Sequence, residues 1–387
     1  MERDRFDFLR KLFQGNIRPQ LEAYVNDSLR SPLLIEFDPT TACNFACPEC
    51  ISAGLLNKAS IPSERIAGLM SEFARGGVKG IIFIGGGEPL AHKCMPAPLR
   101  DAHNFGMAVG LTTNGSLIER HLDTIAECVD WTRVSVDAGT ATTFDSVRPN
   151  HLVKGFDRVL GQMQKLAAVK RGALGYSFLI IQRRVCGSEQ GNATAPNGDA
   201  IFTNAHEIGE AARRAKEIGC DYFEYKPMVD SAHYLMPFSE DLRAIVREQD
   251  AICRRLETDD FAIIAPASME LLSVADDPRQ PKKYATCPAM ELRTLVTPSG
   301  VYPCPYHRGR EDKRLGPVPE MPFDIWWQSD ERKRAMARTD PRTDCNFYCI
   351  RHRTNVVVHA LRDVQEEGVD LLSRIERSEC PPNDPFF

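Results

Sequence analysis

No apolar run in this 387-residue chain approaches the ~20 residues that a bilayer-crossing helix needs; segments such as 80–84 are far shorter. The charged start, Met1-Glu2-Arg3-Asp4-Arg5, is followed by no apolar signal core, so secretion is not expected. Nor is there an excess of basic charge: 48 Lys and Arg stand against 53 Asp and Glu, a formal net charge of −5. That balance lacks the electrostatic footprint of a nucleic-acid or anionic-membrane binder. Gly and Pro, 26 each, are too sparse for a disordered chain. The sequence shows neither internal repeats nor low-complexity tracts. The expectation is a globular, cytoplasmic protein that engages no nucleic acid and no membrane, with room for one large domain or two to three smaller ones.

What the chain does have is thiols. Thirteen cysteines fall at 43, 47, 50, 94, 128, 186, 220, 253, 287, 304, 345, 349 and 380. An odd number in a long, cytoplasmic chain does not read as a disulfide scaffold. Three lie within eight residues of one another and four more between 287 and 349, so two metal sites are the leading use for them. Cys128, Cys220 and Cys253 read as core, and Cys94 as a packing residue.

Short apolar strands alternate with helical patterns from residue 33 onward. Strands are expected at 33–37, 80–84, 107–112, 131–136, 176–181 and 222–225, separated by helices near 93–105, 117–128, 154–169 and 205–218. Six β–α units in a row imply a parallel sheet with helical crossovers, and the working face then lies at the carboxyl ends of the strands. Six units are fewer than a full eight-unit barrel requires, so a partial, open barrel and a doubly wound sheet both fit. The organisation expected is a helical lead-in at 1–32, this α/β unit at 33–230, a helical linker at 231–283, a cysteine-rich unit at 284–353, and a helix with tail at 354–387.

Directly after the first strand, Cys43, Cys47 and Cys50 stand at CxxxCxxC spacing. Three thiolates suit a four-iron cubane only if one iron is left for a small molecule to chelate; a zinc site would need a fourth ligand from elsewhere. The second strand runs into Gly85-Gly86-Gly87-Glu88-Pro89. Glycines at a strand end let a ligand approach the backbone, and Glu88 can accept hydrogen bonds from an ammonium group. Together these two segments resemble the radical S-adenosylmethionine (radical SAM) superfamily.

The resemblance covers roughly 33–230 and implies an α/β fold, a partial (β/α)6 TIM-like barrel. It implies a [4Fe–4S] cluster on Cys43, Cys47 and Cys50 whose open iron binds S-adenosylmethionine (SAM). Gly85, Gly86, Gly87 and Glu88 match the segment that binds the SAM amino group. Ser135 and Asp137, at the end of strand four, sit where the family contacts the ribose; Thr113 and Asn114 are further candidates for that pocket. Arg183 or Arg184 can hold the SAM carboxylate. The chain departs from the family at Glu49, which stands just before the third cysteine where an aromatic or apolar residue is usual; Phe45 is the only aromatic nearby.

Cys287, Cys304, Cys345 and Cys349 make a CX16C pair followed by a CX3C pair. Four thiolates suit structural zinc. The pattern also resembles the twitch domain, a shortened SPASM domain, which would be a small C-terminal cysteine-rich α+β domain with one auxiliary [4Fe–4S] cluster. Beyond strand five, Cys186 can return a hydrogen atom to a substrate radical, and the loop 186–204 reads as a lid. Tyr225 and Lys226, at the end of strand six, are expected at the reaction chamber, Lys226 to orient or deprotonate a substrate hydroxyl. His233 and His307 are expected at the surface.

The resemblance implies an enzyme that reductively cleaves SAM to a 5′-deoxyadenosyl radical and abstracts a hydrogen from a small-molecule substrate of sugar, aminocyclitol or nucleoside type. Oxidation assisted by the auxiliary cluster is the expected outcome, with flavodoxin or ferredoxin as electron donor. An epimerase or lyase acting on a sugar, and a peptide-modifying enzyme, are the alternatives within the family. A zinc-stabilised binding protein or an iron–sulfur electron carrier lies outside it, and both leave the Gly-Gly-Gly-Glu-Pro segment unexplained.

Overall fold

The computed structural model describes residues 11–15, 17–185, 191–265, 269, 279–367 and 386. Cys186 and Cys380 therefore lie outside the described residues. A first helix, α1 (Arg18–Val25), precedes β1 (Leu34–Phe37). Then come α2 (Ser63–Gly76), β2 (Gly80–Phe83), α3 (Ala97–Asn104), β3 (Ala108–Thr113), α4 (Leu122–Cys128) and β4 (Trp131–Ser135). Two helices, α5 (Ala141–Val147) and α6 (Gly155–Val169), lead to β5 (Ala173–Ile180). A small antiparallel sheet of β6 (Gln182–Arg184), β7 (Ala193–Thr194) and β8 (Ala200–Thr203) follows, then α7 (Ile208–Ile218) and β9 (Tyr222–Pro227).

The six strands β1 to β5 and β9 are neighbours in that order and pair in parallel, the arrangement expected of a partial (β/α)6 barrel. Period-2 alternation sorts their side chains. Ile35, Phe37, Ile81, Phe83, Val109, Leu111, Val134, Tyr176, Phe178 and Phe223 join the main core with the helices. Phe37 meets Phe73 and Phe83 edge-on, with ring centroids 6.3 and 5.7 Å apart. The opposite face is smaller and more polar, carrying Glu36, Thr112, Arg133, Ser177 and Glu224. One end of it is closed by a second apolar cluster in which Leu34, Ile82 and Trp131 pack with Leu21, Leu292, Val358 and Phe386.

The sheet is wider than six strands, and the additions come from segments read as something else. The 231–283 stretch supplies the expected helix, α8 (Glu240–Arg254), but also β10 (Ala262–Ile264), which pairs in parallel with β9. After α9 (Pro288–Leu292), the cysteine-rich segment supplies β11 (Arg293–Thr297) and β12 (Gly300–Tyr302). β11 pairs in parallel with β1 and forms a hairpin with β12. A boundary at residue 284 thus precedes strands that belong to the barrel's own sheet. The physical reason is edge protection: an uncovered apolar β1 would offer a row of unpaired backbone groups.

Further helices among the described residues are α10 (Phe323–Trp327), α11 (Asp330–Met336), α12 (Pro341–Asp344) and α13 (His352–Glu366). Among them α10 packs on α2, with Phe323 edge-on to Phe73 at 4.9 Å.

Candidate active site

The loop after β1 is clamped from three sides. Thr41 N–H donates to the Ala59 carbonyl at 2.8 Å, Ala46 N–H to that of Pro149 at 2.9 Å, and Glu88 N–H to that of Ala42 at 2.8 Å. It presents Cys43, Cys47 and Cys50, all half-buried, within electrostatic reach of one another. Burial pushes the Cys43 thiol up and that of Cys47 up to about 11. Two donors oppose it: Phe45 N–H lies 3.4 Å from the Cys43 sulfur, and Arg148 Nη1 lies 3.7 Å from that of Cys47. Thiols so placed ionise readily only beside a bound cation, which favours the thiolate outright.

The glycines after β2 are needed first by the chain itself. A Cβ on Gly87 would lie 2.2 Å from the Ala42 carbonyl oxygen, and one on Gly85 2.1 Å from that of Gly87. Gly86 has no such conflict, and its N–H donates to the Asp38 carboxylate at 3.0 Å. Asp38 in turn pairs with Arg308 at 2.8 Å, and burial raises its carboxyl to about 6. Glu88 is fully buried and accepts from Thr113 Oγ1 and Asn114 N–H, both at 2.7 Å, and from Leu90 N–H at 3.1 Å. Thr113 and Asn114, read as ribose contacts, spend these donors on Glu88. The Asn114 side chain donates to Asn44 Oδ1 at 2.9 Å, which ties the end of β3 to the cysteine loop.

Several polar residues assigned to SAM are engaged by the protein. Asp137 sits at φ 59° and accepts from Leu179 N–H at 2.7 Å through one oxygen and from Arg148 Nε at 2.9 Å through the other. It therefore holds the arginine that reaches Cys47, a role different from the ribose contact expected of it. Arg183 donates to Glu49 at 3.1 Å and to Ser146 at 3.0 Å, and lies over the Phe202 ring. An internal carboxylate thus occupies one edge of the fork assigned to the SAM carboxylate. Arg184 points outward, its side chain 79% exposed and 3.8 Å from Asp199. Ser135 lies beside Ser177 on the inner face. Phe45 is buried edge-on to Phe144 at 6.1 Å.

On β9 the alternation of faces separates two residues that were read together. Lys226 lies on the inner face and donates to Glu224 at 3.1 Å; Arg133 and Ser177 approach the same carboxylate at 3.4 Å. Tyr225 is on the other face, and its hydroxyl donates to Asp250 on α8. Adjacent strand residues cannot both enter the chamber, so the placement of Tyr225 there is corrected. Burial works to raise the Glu224 carboxyl, but Lys226 and Arg133 outweigh it and hold it at about 2, against an ordinary 4.5. This group contributes on the order of 3 kcal/mol above its ordinary range, lost as pH falls from about 4.5 toward 2. Denaturant midpoints measured across that window should show wild type and Glu224→Gln converging as the solution becomes more acid.

The four C-terminal cysteines are brought together. Cys287, Cys304, Cys345 and Cys349 line one cavity, with Lys282, Arg293 and Arg351 also in its wall. Among the described residues no three His, Cys, Asp or Glu side chains are gathered closely enough to hold one metal ion between them; the four thiols instead surround a shared space. His307, expected at the surface, is fully buried, and burial pushes it down to about 4. His233 is half-buried against Tyr306 and Phe347. Cys128, Cys220 and Cys253 lie in the core, while Cys94 sits 3.0 Å from His92 Nδ1.

Residues 37–179 match the radical SAM superfamily. Residues 37–179 thus carry a radical SAM domain. It is 27% identical over 170 residues to the mycofactocin maturase MftC of Mycobacterium tuberculosis, a match covering 43% of this chain and 42% of that protein. It is 33% identical over 129 residues to the GTP 3′,8-cyclase of Chlorobaculum tepidum, covering 31% of this chain and 39% of that one. The chain thus spans less than half the length of these curated relatives. Its fold resembles that of Streptococcus suis SuiB bound to the precursor peptide SuiA, with a TM-score of 0.57, 16% identity, and 81% and 69% of the two chains covered. It also resembles anSMEcpe with bound AdoMet, with a TM-score of 0.55, 13% identity, and 89% and 100% covered. At such identities the likeness shows the fold.

A radical SAM domain brings SAM and a [4Fe–4S] cluster, and the donor set after β1 fits them: three thiols beside a backbone cradle that admits no extra Cβ at Gly85 or Gly87. Arg148 and Asp38 are the site residues that sequence reading missed. Arg148 lies 101 residues from Cys47, and Asp38 reaches Arg308 across 270 residues. The one local signal was Asp38 itself, an acid at the end of a barrel strand. No helix among the described residues is long and apolar enough to cross a membrane.

Proposed function

We propose that this radical SAM enzyme oxidises a small, hydroxylated substrate of sugar, aminocyclitol or nucleoside type, with an auxiliary [4Fe–4S] cluster on Cys287, Cys304, Cys345 and Cys349. The observation that carries the reading is the convergence of those four thiols on one cavity, in a segment whose strand β11 is paired with β1. When bound, SAM and the first cluster supply the radical that removes a hydrogen atom from the substrate. Completing an oxidation then requires the loss of one proton and one electron.

The inner face of the barrel offers groups for the proton. Glu224 and Lys226, 3.1 Å apart, can hold a substrate hydroxyl between an acceptor and a donor. Burial, and then the nearby Arg133, lower the Lys226 ammonium, which brings its neutral, proton-accepting form closer to neutral pH. The four-thiol site can hold the electron acceptor, and a flavodoxin or ferredoxin would provide the first electron. The cytoplasm is the compartment that suits such chemistry.

Anaerobic reconstitution, with SAM, reductant and candidate substrates, followed by mass spectrometry of the products, tests the reading. Loss of a hydrogen pair from a small molecule supports it. A product isomeric with its substrate points to an epimerase, and a modified peptide, of the kind the match to a mycofactocin maturase would suggest, replaces the substrate class proposed. In the same assay Lys226→Met should lower product formation about 100-fold or more, the usual contribution of a general acid or base. SAM cleavage in the absence of substrate should persist.

A further inference from the structure

We infer that His307 and Asn355 are positioning residues that set the reduction potential of the auxiliary cluster, each by donating a hydrogen bond to one ligand sulfur. The inference rests on the auxiliary cluster of the preceding reading and concerns how this chain poises it.

His307 closes the single helical turn that follows Cys304, Pro305–His307, and it is 0% exposed. Its Nε2 lies 3.5 Å from the Cys345 sulfur. Its Nδ1 is buried with no hydrogen-bond partner among the described residues. One ring nitrogen of a neutral imidazole must carry the proton. Placing it on Nδ1 would bury a donor with nothing to receive it, whereas placing it on Nε2 directs it at sulfur. The favoured tautomer therefore donates to Cys345.

Asn355 makes the matching contact from α13 on a second sulfur. Its Nδ2 lies 3.2 Å from Cys287 Sγ, while its Oδ1 accepts from Ala289 N–H at 2.9 Å. The backbone N–H can only donate, so the amide oxygen must face Ala289 and the NH2 must face the thiol; the flip is decided by the chain itself. The two donors thus reach different ligand sulfurs from different elements, in a wall that also carries Lys282, Arg293 and Arg351.

An electron arriving at a thiolate-bound cluster adds one negative charge, part of which falls on the sulfurs. Donors aimed at those sulfurs favour the reduced state, and hydrogen bonding to sulfur is among the recognised determinants of such potentials. The pair would make the site a better electron acceptor, which is what an oxidation asks of it.

The test uses the full chain with Cys43, Cys47 and Cys50 replaced by alanine, so that only the auxiliary cluster is titrated. After anaerobic reconstitution, iron is counted and the potential is read by spectroelectrochemical titration. In this background His307→Leu should shift the reduced-to-oxidised ratio at fixed potential about tenfold toward oxidised, a fall of about 59 mV for one electron. His307→Gln, which keeps an N–H donor, should restore most of it. Asn355→Leu should move the potential in the same direction. Unchanged potentials in loaded His307→Leu and Asn355→Leu would overturn the inference and leave the cluster assignment intact. Failure of both variants to load would also overturn it, since a donor to sulfur tunes a cluster and does not hold it. A parent that binds no iron–sulfur cluster would instead remove the auxiliary site, and this inference with it.

Discussion

Cys47→Ala should abolish formation of 5′-deoxyadenosine from SAM and reductant and, given the auxiliary cluster proposed above, should reduce the iron content of the reconstituted enzyme from about eight to about four. Ligand count and burial decide the outcome. The loop after β1 presents three thiols, Cys43, Cys47 and Cys50; removing one leaves two, too few to retain a cubane while an iron stays open to SAM. Cys47 is also the thiol that Arg148 approaches, at 3.7 Å, and Arg148 is itself held by Asp137. The substitution therefore leaves a buried guanidinium facing an empty position. The four C-terminal thiols are carried by other elements and should load as before. The count after reconstitution checks the proposal directly: a Cys47→Ala protein that still cleaves SAM would refute the placement of the first cluster.

The largest loss of stability should follow from Glu36→Ala. Glu36 lies on the inner face of β1, and its side chain is 2% exposed. One carboxylate oxygen meets Arg293 Nη2 at 2.5 Å and Arg351 Nη2 at 3.6 Å. Burial alone would raise this carboxyl, but the guanidinium groups of Arg293, Arg351 and Arg308 outweigh it and keep it below its usual range. Deleting the carboxylate leaves two buried cations with no counter-charge from this strand, a change that costs about 3–5 kcal/mol when one partner of a buried pair is removed. The exposed pair Arg75–Asp324, at 2.7 Å with the arginine 54% exposed, is the control; Arg75→Ala should cost less than about 1 kcal/mol. Denaturant unfolding of the two variants against wild type gives both numbers.

The barrel strands were legible because their apolar runs are local and bounded by turn signals. The strand predicted at 131–136 is β4 (Trp131–Ser135), and the one predicted at 222–225 is the start of β9. The cysteine loop and the glycine segment were legible for the same reason, each being a few consecutive residues. Roles set by distant partners were not. Asp137 and Arg183 have the side chains expected of SAM ligands, yet Arg148 and Leu179 engage the first, and Glu49 and Ser146 the second. Glu49, noted only as a departure at the position before Cys50, becomes intelligible as the partner of Arg183. Tyr225 was misplaced by reading proximity in sequence as proximity in space, when strand alternation forbids it. The pairing of β11 with β1 left no local mark: residues 293–297 read as part of a separate, cysteine-rich α+β unit, and only the sheet shows what they cover.

That pairing also dictates an order of events during synthesis. Glu36 and Arg293 are 257 residues apart in the chain, and a ribosome adds ~5–20 residues per second, so β1 emerges roughly 13–50 s before the strand that will shield it. Throughout that interval the nascent barrel carries an apolar, hydrogen-bond-hungry margin, the kind of surface that recruits other chains. Long-range parallel pairing of this sort is also slow to form. Yield in a heterologous host should thus be governed less by the finished protein's stability than by what guards that margin while translation runs.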